Sequence, residues 1–580
     1  MKEFPGLKVL FVLLFPLLFG ACAVDRPPTG GPPDNTSLSV TASIPETGTV
    51  NTSPQTIRLD FSHYVSREAL AKSIYFSPSV DDFEVSVHGR EACVRIYSQL
   101  KQNRTYTLTL RNDLKSLYGN HRLDKSWALS FSTGPVIDNG SIEGQVWTPR
   151  MSPAADVTVM AFSPATGKQS PEYLTQTGPS GAFRFEHLAP GNYRILAITD
   201  SNGNLRYDPE SESFAVAAAK AVMPDAPATL RPVNLRLSDG SQAGPKLRSC
   251  QTINNREIEV TFSRPVPSES IDLSWFSIEN ATSGKPLPIL GYFSLSRSSD
   301  TSSWRLLTGK MDKESWYRLR FSDGQAPSTL TFYGNDQQER YPALSIAIIP
   351  TDGAESVIAE TIRPGSAPAA ELRFNLPVVE SSLTSGSVNL GLVEPTGTRS
   401  FPCTITRIDS RTYAVRPSGG FLRGRSYTLR VDMSKVEGVI SSGSAIGTKV
   451  ATSNFDIAGE ELYGEINGTG KAMVPRLVIE AQIQNLAFVK HLEVKPSATT
   501  GEFRFGFNGL PPGRYVLSAF KPSDVSGSWN AGSVEPFAPA DAFIAETVEV
   551  RAGWSTDDVR LDLPLSDTGL SVQTSKTENN

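Results

Sequence analysis

The chain is predicted to be all-β, a tandem of β-sandwich modules. Three observations carry that reading: short runs alternate apolar and polar residues at period two, turn residues separate those runs, and two patterns recur along the 580 residues. Only 20% of residues are charged, and 45 Gly and 42 Pro accompany abundant Ser and Thr, the composition of short strands joined by many turns. At this length several domains are expected. The 55 basic and 60 acidic side chains give a net charge of −5 with no long run of one sign, which points away from nucleic acid as a partner.

The first segment is read as an address, not as a fold element. Lys2 and Lys8 precede an apolar run from Val9 to Phe19, ending Gly20-Ala21-Cys22. A basic start, an apolar core of about a dozen residues and small residues before a cut form a secretory signal, too short for a membrane span of roughly 20 residues. Gly20-Ala21-Cys22 resembles the lipobox of bacterial lipoproteins, whose cysteine takes a diacylglycerol before cleavage; Phe19 stands where that pattern usually has leucine. The resemblance implies that residues 1–21 are removed and that Cys22 is acylated, two or three acyl chains making a stable anchor. The alternatives are an ordinary signal peptide that holds a cysteine, or an uncleaved anchor. Residues 22–38, rich in Pro, Gly and polar residues, are read as a flexible tether. Ala23 follows the cysteine in place of the aspartate that resembles an inner-membrane retention signal, so the outer membrane is expected, on its periplasmic or its outer face.

Three later segments share one pattern: an apolar residue, five mostly polar residues, a tyrosine, then period-two alternation. They run Leu100 to Leu110 through Tyr106, Met311 to Phe321 through Tyr317, and Phe421 to Val431 through Tyr427. Upstream of each lies an alternating strand, Ile57–Phe61, Ile258–Phe262 and Leu372–Leu376. Each copy is read as one sandwich, over 39–135, 245–345 and 346–457. The first resembles the bacterial Ig-like domains of S-layer and cell-envelope proteins, through Ile44-Pro-Glu-Thr-Gly48 and Phe131-Ser-Thr-Gly134. Arg67–Ile74 is predicted as a short helix within it.

The second pattern is Gly-x-Phe-x-Phe, then Leu, Pro-Gly and Tyr. It occurs at Gly181 to Tyr193 and again at Gly501 to Tyr515. It resembles the carboxypeptidase-regulatory or collagen-adhesin B type β-sandwich, with a tight turn at Pro-Gly between two strands. Ile142–Val146 and Leu462–Ile466 resemble that fold's first strand. These modules are placed at 138–238 and 458–564, and residues 565–580 are read as a disordered tail.

Candidate sites are few. Asp200, Asn202, Asn204, Asp208 and Glu210, in a loop ending at Glu212, place oxygen side chains at alternate positions, as a calcium loop does. Gly203 stands fourth, not sixth, and no flanking helix is evident, so an Asx-rich turn is the preferred reading. The matching loop of the second copy, Asp524 to Gly532, has lost most of those oxygens. Among seven tryptophans, Trp529 in that loop is singled out as exposed and able to stack on a sugar; the others are assigned to cores. Three cysteines besides Cys22 are an odd, scattered set, which argues against a disulfide framework, and Cys93 and Cys403 are read as buried small hydrophobes. The five histidines lack metal-ligand spacing, although His63 and His88 could meet across the first sandwich. No nucleophile elbow, phosphate-binding loop or dinucleotide fingerprint appears in a fitting context. The expectation is therefore a non-catalytic envelope protein with a structural, adhesion or scaffolding role. The alternatives are a lipoprotein that binds a glycan or another envelope component, and a hydrolase with an unrecognised site. The expected partners are the membrane through the lipid and an envelope protein or glycan, with no cofactor beyond a structural calcium.

Overall fold

The computed structural model describes residues 36–563 except 81, 164–170, 220, 224–231, 239–243, 295–299, 324–326, 339–340, 364–366, 441–448, 485 and 526. Cys22, the signal segment and the 565–580 tail lie outside the described residues. Within them the strands form ten sheets that pair face to face as five sandwiches, each around its own apolar core.

In the first module, strands Val40–Ile44, Thr56–Phe61, Glu91–Ile96 and Phe83–His88 lie side by side in that order. They face a sheet of Ile74–Ser77, Thr105–Leu110 and Trp127–Ser132. The alternation of Thr56–Phe61 turns Ile57, Leu59 and Phe61 inward against Leu108, Leu129 and Phe131. Val40–Ile44 is a strand the alternation did not reveal, because none of its five residues is fully buried. The helix runs Arg67–Ser73, one residue shorter than expected, and the Ser66 hydroxyl caps it by accepting the Ala69 N–H at 3.1 Å.

The third and fourth modules repeat this plan. Their inner strands Glu257–Pro267 and Ala370–Phe374 face Trp316–Phe321 and Ser426–Asp432. The tyrosine of the repeat has the same job in all three modules. The hydroxyls of Tyr106, Tyr317 and Tyr427 accept the backbone N–H five residues upstream, from Lys101, Asp312 and Leu422, at 2.9, 2.8 and 2.8 Å. Each ring also stacks on a phenylalanine of the next strand, Phe131, Phe332 or Phe455, within 6.0 Å and 20° of parallel. A buried ring whose polar tip pins a loop explains why five polar residues and a tyrosine recur together.

The second and fifth modules share a different plan. Ala182–Leu188 and Glu502–Leu510 carry the Gly-x-Phe-x-Phe pattern, and each pairs antiparallel with its module's first strand, Gly140–Trp147 or Gly464–Lys471. Leu462, expected in that strand, instead belongs to a 3-10 turn at Glu460–Leu462, where the chain leaves the fourth module. The closing strands Val233–Arg236 and Ser555–Asp562 run parallel to the first strands. Gly144 and Gly468 allow that approach: a Cβ there would sit 2.1 Å from the Val233 carbonyl oxygen and 2.3 Å from that of Val559. Pro-Gly makes the tight turn in both copies, and the hydroxyls of Tyr193 and Tyr515 donate to the carbonyls of Ala189 and Pro511.

The modules do not simply follow one another. The fifth returns to the second and closes modules two to five into a circuit, with the first module attached to the second. At the junction of the first two modules, Tyr75 packs with Met160, Leu196 and Phe214, the Ser77 hydroxyl accepts the Leu174 N–H at 3.0 Å, and Arg104 pairs with Glu172. Between the third and fourth, Tyr292 and Ser410 exchange two backbone-anchored hydrogen bonds of 2.9 Å. Between the fourth and fifth, Arg423 lies 3.5 Å over the Tyr463 ring and reaches Glu360, Glu460 and the Gly509 carbonyl.

Candidate functional site

The junction of the second and fifth modules holds a cavity and the predicted Trp529. Its floor comes from strand Leu477–Ile483, in which every residue is buried. Leu477, Ile479, Ala481 and Ile483 fill the fifth module's own core. The opposite face puts Val478, with Val516, Phe520 and Phe543, against Trp147 and Met151 of the second module. A strand covered on both faces needs a nearly continuous apolar run, which Leu-Val-Ile-Glu-Ala-Gln-Ile supplies.

Two polar residues interrupt that run, and Glu480 is one of them. Its carboxylate receives Arg236 of the second module at 2.8 Å and the Ser518 hydroxyl at 3.2 Å. His491 Nδ1 lies 3.5 Å away on the outer side. The Arg236 guanidinium also donates to the Pro149 carbonyl from Nε and Nη2, at 3.3 and 3.0 Å, and covers the Trp529 ring at 5.0 Å. The pair is 14% and 8% exposed, so loss of either partner would leave a buried charge uncompensated.

Beside it opens a cavity of about 560 Å³ lined by Arg236, Ser238, Arg476, Glu480, His491 and Trp529 among others. Arg476 bonds Glu493 at 3.0 Å and the carbonyls of Asp524 and Val525, while its buried Nε has no hydrogen-bond partner among the described residues. An indole beside charged donors and acceptors suits a polar ligand with one flat apolar face.

Trp529 is half-buried, its indole N–H donating to the Asp541 carbonyl at 3.3 Å and its ring meeting Phe543 edge-on. The exposed tryptophans are instead Trp554 and Trp316, at 72% and 53%. Trp316 precedes the inward Tyr317 on its strand, so alternation sends it outward.

The Asp200–Glu212 loop follows the Gly191–Ile198 strand of the second module and reaches both the first and the third module. Asn202 and Asn204 each form an Asx turn, Oδ1 accepting the N–H two residues on, and both Nδ2 groups donate to Asp208 Oδ2. Asp200 accepts Arg111 of the first module at 3.3 Å and the Leu205 N–H at 3.3 Å. Glu210, expected inside the loop, turns out to Lys246 of the third module. The inward position belongs to Glu212, wholly buried, which accepts the N–H groups of Ser201 and Asp208 at 3.0 and 3.1 Å. Burial pushes its carboxyl above the ordinary range. Among the described residues no group of three or more His, Cys, Asp or Glu is placed to hold a metal ion.

Other side chains correct the sequence reading. His63 stacks on His121 at 4.3 Å, not on His88, which sits across from Glu91 in the Phe83–His88 hairpin. Cys93 and Cys403 are half-buried: Cys403 packs against the fourth module's core, while the inward positions around Cys93 belong to Ala92 and Val94. Cys93, Cys250 and Cys403 are all free thiols. Among the described residues no helix is long and apolar enough to cross a membrane.

Residues 34–133 match the family described as bacterial Ig-like domain. No curated protein sequence matches the chain. Among solved structures it is similar to domains 1–6 of the surface layer protein SbsC, at 9% identity and a TM-score of 0.15 over 90% of this chain and 67% of that one. It is also similar to Salmonella alpha-2-macroglobulin reacted with methylamine, at 11% identity and a TM-score of 0.14 over 89% of this chain and 43% of that one. A third is BcpA, the major pilin subunit of Bacillus cereus, at 9% identity and a TM-score of 0.15 over 74% of this chain and 100% of that one. The first module is a bacterial Ig-like sandwich, and the chain as a whole is a tandem of β-sandwiches.

Proposed function

We propose that this is a lipid-anchored, non-catalytic scaffold of the bacterial cell envelope, held at Cys22 and presenting a closed assembly of sandwiches. The observation that carries the reading is the return of the fifth module to the second, where Arg236 meets Glu480 beside a shared apolar contact. Residues 244 apart in sequence are thereby fixed together, and each module adds stiffness where a linear array would bend. The Ig-like first module and the Gly20-Ala21-Cys22 pattern support an envelope address.

Fractionation of cells carrying Cys22→Ser tests the anchor. The native chain is expected in the membrane pellet and the variant in the soluble envelope fraction; a variant that still pellets contradicts the proposal. A second reading, capture of an envelope glycan, is favoured by the cavity beside Trp529. Retention of the native chain on purified envelope polysaccharide, lost in Trp529→Ala, would support it, and no retention would remove it.

A further inference from the structure

We propose that the Asp200–Glu212 loop binds one calcium ion at the joint of the first three modules. The side-chain oxygens around it come from Asp200, Asn202, Asn204, Asp208 and Glu212, and the structure draws the middle three together on Asp208 Oδ2. Each asparagine Oδ1 accepts one backbone N–H and keeps a second lone pair.

A separate observation points to a missing cation. The Asp200 side chain is 0% exposed, and its Oδ1 has no hydrogen-bond partner among the described residues. Arg111 and the Leu205 N–H both address the other oxygen, Oδ2. A buried carboxylate oxygen without a partner is costly, and a cation at that oxygen removes the cost. The local charge agrees: the loop carries the carboxylates of Asp200, Asp208 and Glu212, while Arg111, which meets Asp200 at 3.3 Å, is shared with Asp113 at 3.2 Å. Glu210 does not enter the count, because Lys246 holds it outside.

Calcium suits the site better than magnesium. It accepts six to eight oxygens in flexible geometry, including amide and backbone carbonyl oxygens, whereas magnesium demands near-ideal octahedra and keeps its water. The three carboxylates do not by themselves form a metal-holding group; in the proposed site the amide oxygens of Asn202 and Asn204 complete the ligand set. Leu205, sixth from Asp200, adopts a φ of +58°, the sharp turn that calcium loops place at that position. The ion would sit where Arg111 of the first module and Lys246 of the third already reach the loop, so it would stiffen both joints.

The test is calorimetric titration of the full chain, purified in detergent and stripped with EDTA, with calcium chloride and separately with magnesium chloride. The expected result is one calcium per chain with a dissociation constant of ~1 mM or tighter, and magnesium at least about tenfold weaker. Asp208→Asn and Asn204→Ala, at half-exposed and exposed positions that should leave folding intact, are expected to weaken calcium at least about tenfold. Asp524→Asn, in the corresponding loop of the fifth module, should leave binding unchanged. No saturable calcium binding by the folded native chain up to ~10 mM, or binding untouched by both loop variants, overturns the proposal.

Discussion

Tyr106, Tyr317 and Tyr427 show what a residue-scale pattern means physically. Their spacing was visible in the sequence, and its cause is a phenol tip that holds the loop five residues back. Tyr427→Phe keeps the ring and removes the acceptor for the Leu422 N–H, a net loss of about 1 kcal/mol. In thermal unfolding followed by calorimetry, the fourth module's transition should fall by ~4–8 °C with the others unmoved. The cysteines teach the opposite lesson. A strand-like context placed Cys93 in a core, but period two fixes only which residues share a face, and Ala92 and Val94 hold the inward one. Cys250 is half-buried, yet burial pushes its thiol up to about 12. At pH 8 only about one such thiol in ten thousand is thiolate, so Cys250 should resist iodoacetamide in the native chain and react after denaturation, as read by peptide mass spectrometry. Trp529 was singled out for its loop composition; its contact with Arg236 comes from chain far away and left no local mark, while Phe543 lies in the next strand.

At the scale of the element, alternation located the inner strands to within a few residues, because one face of each is buried and the other is not. It lost Val40–Ile44, where no residue is fully buried, and misplaced the start of Gly464–Lys471, whose glycines carry no hydropathy signal. Gly468 and Gly470 have a mechanical reason: the closing strand runs so near that Cβ atoms there would overlap its carbonyls. Gly144→Ala puts a methyl group 2.1 Å from the Val233 oxygen and should cost the second module about 1–3 kcal/mol. Gly178→Ala, in the same module with open space around it, should be close to neutral in the same denaturation experiment. The strands buried on both faces carried a readable signal that alternation alone does not exploit. Leu477–Ile483 and the Tyr515 to Phe520 stretch are too continuously apolar for a sandwich with one wet face, and each packs a second module.

For the whole molecule, the sequence supported a tandem of sandwiches but not their return on themselves, since no local pattern reports a contact between residues 236 and 480. The distinction is large in space. A domain of about 100 residues has a radius of gyration near 13 Å, equivalent to a sphere about 34 Å across, so five in line would reach roughly 170 Å. Four closed into a circuit with one attached would reach roughly 100 Å. Arg236→Glu sets a like charge against the buried Glu480 and should open the circuit without unfolding either module, because the two cores are built from other residues. Small-angle X-ray scattering of the full chain, made as Cys22→Ser to keep it out of micelles, measures this most directly. The closed scaffold predicts a maximum dimension near 100 Å that lengthens in the Arg236→Glu variant. A native chain already near 170 Å, unchanged by that substitution, would contradict it.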